Sequence, residues 1–325
     1  MDLVESYRED LRLVRKWPAR VLVTVLLAGL LVLPRLGSDY LVYIVTLIAI
    51  YTIGILGQNL LIGYTGQISF GQAGFLAIGA FTLAHLVRKG VPFAPSLLLA
   101  GLSAGLFGVL VGFPALRLKG PYLAVATLGF GVAVYQGFAN WDVLSGGRMG
   151  LTLPPLAWWG VRRVLLLYYL NVGLAVLFTV ATYNLVSSYV GRALVAIRDS
   201  DIAAEMMGVS LTRYKLLAFG VSSFYTGVQG GLLAQLFGYL EPQMFTVLET
   251  VTMFVGVVVG GLGLVEGSVF GAAFAILVPQ VFAGYRELVP AVFGVAILLV
   301  MMLEPHGLAG RWLKLRLYVS NWPFR

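Results

Sequence analysis

Charged residues crowd into one short stretch of an otherwise apolar chain of 325 residues. The stretch reads AIRDSDIAAEMMGVSLTRYKLL over 196–217, and long apolar segments flank it on both sides. Its ionisable side chains are Arg198, Asp199, Asp201, Glu205, Arg213 and Lys215. Charges gathered in this way indicate a docking surface for a partner outside a bilayer.

The same stretch carries the signals of a short helix. Ser200 can cap a helix by accepting a backbone N–H bond, and Asp201 follows where the helix dipole favours an anion. Gly208 can end the helix, because only Gly takes the left-handed terminal conformation without steric cost. We therefore predict that the loop over 188–215 presents a docking helix.

Other kinds of chemistry lack the residues they need. The chain has no cysteine, and its two histidines, His85 and His306, lie far apart in sequence, which argues against a disulfide framework, thiolate chemistry and a metal site. It contains no GxxxxGK[ST] phosphate loop, no dinucleotide fingerprint and no nucleophile elbow. We predict a chain that is not an enzyme, binds no cofactor and does not hydrolyse ATP itself.

The composition indicates a polytopic membrane protein. Hydrophobic residues make up 59% of the chain and charged residues 11%, whereas a soluble domain carries about a quarter charged residues. The net charge of +8 is then better assigned to loops that face anionic lipid than to nucleic acid.

The long apolar segments predict an all-α bundle of about ten transmembrane helices. They should be helices because lipid leaves the backbone polar groups of an open chain no other partners. The spans are expected near 20–34, 40–62, 73–88, 95–115, 121–140, 164–187, 216–239, 247–263, 267–284 and 289–304.

An even number of spans places both termini on one side. With that side inside, the inner segments hold fifteen of the 22 Lys and Arg residues, as the positive-inside rule requires. We therefore expect a single transmembrane domain over 1–325, with 1–19, 188–215 and 305–325 cytoplasmic. The outer seven are Arg35, Arg88, Lys89, Arg148, Arg162, Arg163 and Arg286.

The segment GYTGQISFGQAG over 63–74 departs from the apolar pattern and carries Gln67, Ser69 and Gln72. Gly-interrupted segments at membrane depth often belong to broken or re-entrant helices that line a pathway. A tight cytoplasmic turn also needs Gly for its backbone angles. The residues alone weigh these two interpretations about equally.

Three further polar residues are candidates for lining a pathway. Gln58 and Asn59 end the second predicted span, where they can line a polar route or hydrogen-bond a neighbouring helix. Glu249 lies in the first turn of a predicted span, where it can face a cavity or be stabilised by the helix dipole and solvent. The second interpretation of Glu249 is slightly favoured.

The predicted outer loop over 140–163 contains WDVLSGGRMGLTLPPLAWW. It is rich in Gly, Pro and aromatic residues, as an interfacial or partner-binding segment would be. Gly146, Gly147 and Arg148 are the candidate contacts for an external partner.

Several stretches that together run through most of the chain resemble one family, the permeases of branched-chain amino-acid ABC importers, and specifically their M-type subunit. The stretches are GQNLLIGYTGQISFGQAGFLAIGAF over 57–81, RLKGPYLAVATLGFG over 117–131, GRALVAIRDSDIAAEMMGVSLTRYKLLAF over 191–219, VVVGGLGLVEGSVFGAAF over 257–274 and EPHGLAG over 304–310.

The resemblance implies a heteromeric importer in a bacterial or archaeal cytoplasmic membrane. A second, homologous permease would pair with this chain, two ATPase subunits would use ATP and Mg, and a periplasmic or extracellular solute-binding protein would deliver the solute. The family also includes importers of urea, short amides and aromatic acids. The coupling helix that docks to the ATPase would comprise Arg198, Asp199, Ser200, Asp201, Ala203, Ala204, Glu205 and Gly208.

Three positions depart from the family's pattern. The acid that usually leads the loop motif is replaced by Ile202, with Asp201 one place earlier. The outer loop carries Arg148 where relatives often have an acidic or polar residue, and Leu153 where they have Gly. An ion-coupled secondary transporter with Glu249 as proton relay is the competing hypothesis from another class. Intramembrane acids are scarce, which argues against it. No catalytic constellation supports a membrane enzyme.

Overall fold

A computed structural model describes residues 28–35, 37–118, 120–156, 162–304 and 307–320. The described chain is almost entirely helical, as predicted. Its main helices are α1 (Asp39–Thr65), α2 (Gln72–Arg88), α3 (Phe93–Ala115), α4 (Pro121–Asn140), α5 (Arg163–Ser187), α6 (Tyr189–Asp199), α7 (Asp201–Met206), α8 (Leu211–Phe237), α9 (Val247–Gly260), α10 (Val265–Val281), α11 (Val289–Leu303) and α12 (Gly307–Ser320).

The predicted count of about ten spans is not confirmed. Six stretches of the described chain are long and apolar enough to cross a membrane, five of them α1, α3, α4, α5 and α8 and the sixth Pro242–Gly260, which includes α9. A seventh arises if α11 and the first part of α12, bent by 42°, form one span.

The difference from ten has a physical reason in two short helices. Both α2 and α10 have only 17 residues, although each lies where a span was predicted. The predicted first span over 20–34 falls mostly outside the described residues.

Ion pairs identify the two ends of the bundle. At one end Arg162, before α5, lies 3.2 Å from Asp39 at the start of α1. At the other end Lys215 of α8 lies 2.8 Å from Asp201 of α7. We call these the Asp39 end and the Asp201 end. The charge distribution predicts that the Asp201 end is cytoplasmic.

Helix α8 occupies the centre of the bundle and packs against α1, α2 and α3. Glycines make this close packing possible. A Cβ placed on Gly79 of α2 would overlap the backbone of Gly227 in α8, and one on Gly230 would overlap the carbonyl group of Leu76. Small residues let helix backbones approach in this way, which is how apolar helices associate in lipid.

Substitution of Gly79 by valine is expected to disrupt the bundle. The added side chain meets backbone atoms that cannot rotate away, so the free energy of unfolding should fall by about 1–3 kcal/mol or more. The measurement is thermal unfolding in detergent together with size-exclusion chromatography.

Gly173→Val is the matched control, because no atom of the described residues lies within 4 Å of a Cβ placed on Gly173 of α5. A Gly79→Val protein that remains monodisperse and unfolds at the wild-type temperature would contradict the packing described here.

Candidate functional site

The Gly-rich segment predicted to be either a broken helix or a tight turn is a partly buried connection without helical structure. Helix α1 ends at Thr65, α2 begins at Gln72, and 66–71 lies between them. Hydroxyl groups of other helices accept hydrogen bonds here: Phe70 N–H, in the connection, donates to Thr127 Oγ1 of α4 at 2.9 Å, and Ala73 N–H, in the first turn of α2, donates to Thr250 Oγ1 of α9 at 3.0 Å. The bundle therefore supplies hydrogen bonds that a helix would make internally.

The contacts of Gln72 place the start of α2 at half the depth of the bundle. Thr226 Oγ1 donates to Gln72 Oε1 at 2.7 Å, and Gln72 Nε2 donates to Ser222 Oγ at 3.3 Å. Both partners lie near the middle of α8, whereas α1 ends beside the Asp201 end. A tight turn outside the bundle does not describe this geometry, which is that of a broken span, in which a non-helical segment precedes a helix of 17 residues.

A cavity of about 290 Å³ opens beside this segment, between α2, α4 and α9. Its lining is mostly apolar, with a few polar groups on α4 and at the start of α9. We call it the cleft. The lining residues are Phe70, Ala73, Leu128, Gly131, Val132, Tyr135, Gln136, Phe245, Thr246, Val247, Leu248 and Thr250.

The polar residues proposed from sequence as pathway lining do not line the cleft. Gln67, Ser69 and Gln72 are buried within the bundle. Gln58 is fully buried in α1, and its amide atoms have no hydrogen-bond partner among the described residues. The cleft is instead lined by Tyr135, Gln136 and other residues, most of them apolar.

Asn59 hydrogen-bonds a neighbouring turn, which is the second of the two roles left open for it. Its Oδ1 accepts from Gly263 N–H at 2.9 Å, and its Nδ2 donates to the Leu264 carbonyl oxygen at 2.9 Å. Nδ2 also lies 3.2 Å from Ser268 Oγ. Asn59 therefore fixes the turn that joins α9 to α10 against the end of α1.

Glu249 lies in the first turn of α9, as predicted. Its carboxylate lies close to Tyr51 of α1, and Glu249 is not among the residues that line the cleft. The neighbours Leu248 and Thr250 supply the cleft surface at this level. The structure thus separates the one acid of this span from the cavity.

The predicted docking helix forms, but as two helices that meet at Ser200. Ser200 Oγ accepts from Ala203 N–H at 3.2 Å, so the predicted cap of α7 is confirmed. Gly208 has the predicted left-handed conformation, with φ of 82°. Arg198 and Asp199 belong to the preceding helix α6 and not to the docking helix.

The exposed surface of α7 is more apolar than its sequence suggested. Ile202, Met206 and Met207 are 75%, 85% and 85% exposed, whereas Ala204 is buried. We call these three exposed side chains the docking patch. Sequence reasoning stressed the alanines, Gly208 and the acids, and missed this patch. The adjacent methionines before a helix-ending glycine were the available signal.

The outer loop folds back on the connection between α8 and α9. Residues Leu151–Thr152 pair antiparallel with Tyr239–Leu240, and the Tyr239 hydroxyl donates to the Met149 carbonyl oxygen at 2.6 Å. Gly146 and Gly147 have φ of 70° and 61°, which few other residues adopt. Residues 157–161 of the predicted loop lie outside the described ones.

Side chains at the tip of this loop point outward. Trp141, Val143 and Met149 are 57%, 83% and 87% exposed, and Arg148 is exposed beside them. We call the first three the outer patch. It lies at the Asp39 end, opposite the docking patch.

Comparison with known proteins now identifies the family. The family model for the permease component of branched-chain amino acid transport systems matches residues 40–303. Two relatives are the high-affinity branched-chain amino acid transport system permease proteins LivM of Salmonella typhimurium and Escherichia coli. Each is 34% identical to this chain, over 85% and 87% of its length and 71% and 74% of theirs.

The autoinducer 2 import system permease protein LsrC of an Enterobacter strain is 26% identical over 70% of this chain and 66% of its own. No solved structure gives a match. The relatives are named as transport permeases and not as enzymes, and the apolar helices make the protein a multi-pass membrane protein. The chain belongs to the family of branched-chain amino acid transport permeases and is the permease component of an ABC-type transporter.

Proposed function

We propose that this chain forms half of the transmembrane pathway of an importer for branched-chain amino acids. The observation that carries the proposal is the docking patch: a capped helix presents three exposed apolar side chains at the Asp201 end of a membrane bundle. A chain without a phosphate loop needs a separate ATPase, and such a surface suits one.

Two ATPase subunits with their ATP and Mg would dock at this cytoplasmic end. Closure of the ATPase pair would displace α7. The Lys215–Asp201 ion pair joins α7 to α8, and α8 in turn hydrogen-bonds Gln72 at the start of α2. The displacement would therefore reach the centre of the bundle through groups already in contact.

The cleft would accommodate the solute. A cavity of about 290 Å³ with mostly apolar walls and a few polar groups suits a small molecule with an aliphatic side chain. The names of the LivM relatives agree with branched-chain amino acids. Urea, short amides and aromatic acids are the alternatives within the family.

A second permease would close the cleft on its open side. Ile68, in the segment without helical structure, is 38% exposed at the surface of the bundle. Irregular backbone at membrane depth is stable where protein or a water-filled cavity covers it, but not against lipid. A solute-binding protein would meet the outer patch, with Arg148 and the left-handed glycines shaping its contact.

An ion-coupled secondary transporter is less well supported. That hypothesis needs an acid on the pathway, and Glu249 is not among the residues that line the cleft. Uptake by this chain alone, driven by a proton gradient, would revive it.

Serine at both Met206 and Met207 is expected to detach the ATPase. The two methionine side chains would be buried against the ATPase in the complex, so their loss should weaken association of the ATPase with this chain at least about tenfold. The measurement is the amount of ATPase that co-purifies with the tagged chain from its native membrane.

Met149→Ser controls for the loss of an exposed methionine, because Met149 is 87% exposed at the opposite end. Full recovery of the ATPase with the Met206→Ser and Met207→Ser chain would overturn the docking role.

The outer patch gives the reciprocal prediction. Serine at Val143 and Met149 should leave the ATPase bound but lower the stimulation of ATP hydrolysis by the co-purifying solute-binding protein by about tenfold. If serine at Val143 and Met149 leaves the stimulation unchanged while serine at Met206 and Met207 abolishes it, the binding protein contacts another part of the chain.

Cysteine labelling tests the cleft directly, since the native chain has no cysteine. Saturating leucine with ATP and the binding protein should slow maleimide labelling of Val132→Cys, because Val132 lines the cleft. Val125→Cys is the control on the same helix; Val125 is 68% exposed and outside the cleft. If leucine leaves the labelling rate of Val132→Cys unchanged, as it should for Val125→Cys, the solute does not bind in the cleft.

A further inference from the structure

We propose that Arg198, oriented by Asp199, is a second link beside the Lys215–Asp201 ion pair, and that it transmits movement of the docking helix to two parts of the cleft wall, Phe70 and the start of α9. This inference rests on the proposed function and assigns Arg198 a role other than ATPase docking. It is a positioning role, because Arg198 contacts the backbone of the bundle and not the solute.

The guanidinium of Arg198 is held in one orientation. Its Nε and Nη2 both donate to Asp199 Oδ1 at 3.1 Å, and its Nη1 donates to the Gly63 carbonyl oxygen at 3.0 Å. The planar fork of an arginine can make these bonds together, whereas a lysine ammonium cannot reproduce the geometry. Asp199 thereby directs Nη1 toward the end of α1.

The same side chain contacts two glycine turns. A Cβ placed on Gly66, which has φ of 69° and begins the non-helical segment 66–71, would lie 3.4 Å from the Arg198 Cγ. A Cβ on Gly263, in the turn between α9 and α10, would lie 3.2 Å from Arg198 Nη1. Arg198 therefore lies where the two connections meet.

Both connections lead to the cleft. The non-helical segment 66–71 includes Phe70, which lines the cleft. Helix α9 begins at the cleft, with Val247, and ends beside Gly263 after about 20 Å of helix. A rigid shift at Arg198 would move both parts of the wall together.

The connection from the docking helix to Arg198 is short and rigid. Ser200 N–H donates to the Ala196 carbonyl oxygen at 3.0 Å and so ends α6, while its hydroxyl caps α7. The two helices thus share one hydrogen-bonded joint. The docking patch points away from the bundle, whereas Arg198 Nη1 bonds the Gly63 carbonyl oxygen within it. Different residues would therefore attach the ATPase and transmit its movement.

The test compares Arg198→Ala, Arg198→Lys and Asp199→Asn in the complete transporter, reconstituted with its second permease, ATPase and binding protein. Arg198→Ala and Arg198→Lys should retain the ATPase and its hydrolysis but lower leucine uptake per ATP by about tenfold or more. Asp199→Asn should give a smaller loss, because the Nη1 bond to Gly63 remains possible.

Arg192→Ala is the matched control. Arg192 lies in the same helix, and its Nη1 donates to the nearby Ser187 carbonyl oxygen at 3.4 Å; uptake per ATP should stay at the wild-type value. Wild-type uptake per ATP in Arg198→Ala would overturn the proposal, as would loss of the ATPase from Arg198→Lys. A wild-type chain that neither binds an ATPase nor supports uptake would instead refute the proposed function.

Discussion

The hydrogen-bond demand of six non-helical residues inside the bundle governs much of this structure. Lipid cannot satisfy their backbone groups, so other helices must. Thr127 of α4 accepts from Phe70 in this segment, Thr250 of α9 accepts from Ala73 in the first turn of α2, and Gln72 bonds the middle of α8. Satisfying this one segment therefore brings together the helices whose surfaces enclose the cleft.

The glycines of the bundle serve the same arrangement. Helix α2 packs against α8 with the two backbones nearly in contact at Gly79 and Gly227. At the Asp201 end Gly63 and Gly263 approach equally closely, and Asn59 fixes that contact with its amide. Close packing in the middle and at one end leaves the cleft as a localised opening between well-packed surfaces.

Local features of the sequence predicted local structure well. The Ser200 cap and the left-handed Gly208 follow from backbone chemistry within one helix turn, and apolar runs predicted where most helices lie. The depth at which α2 begins could not be predicted, because it depends on contacts with α8, far away in sequence. The direction of Gln58, Asn59 and Glu249 depends likewise on neighbouring helices. Exposure of Met206 and Met207 was missed because methionine is also a common core residue.

The two-stranded pairing at the Asp39 end has a mechanical consequence. Leu151–Thr152 and Tyr239–Leu240 form a brace between the loop that carries the outer patch and the chain that leads directly into α9. Phe245 and Thr246, just beyond the brace, already belong to the cleft wall. A force applied to the loop would therefore be shared with the rim of the cavity, so displacement of the outer patch would be carried directly to the mouth of the cleft.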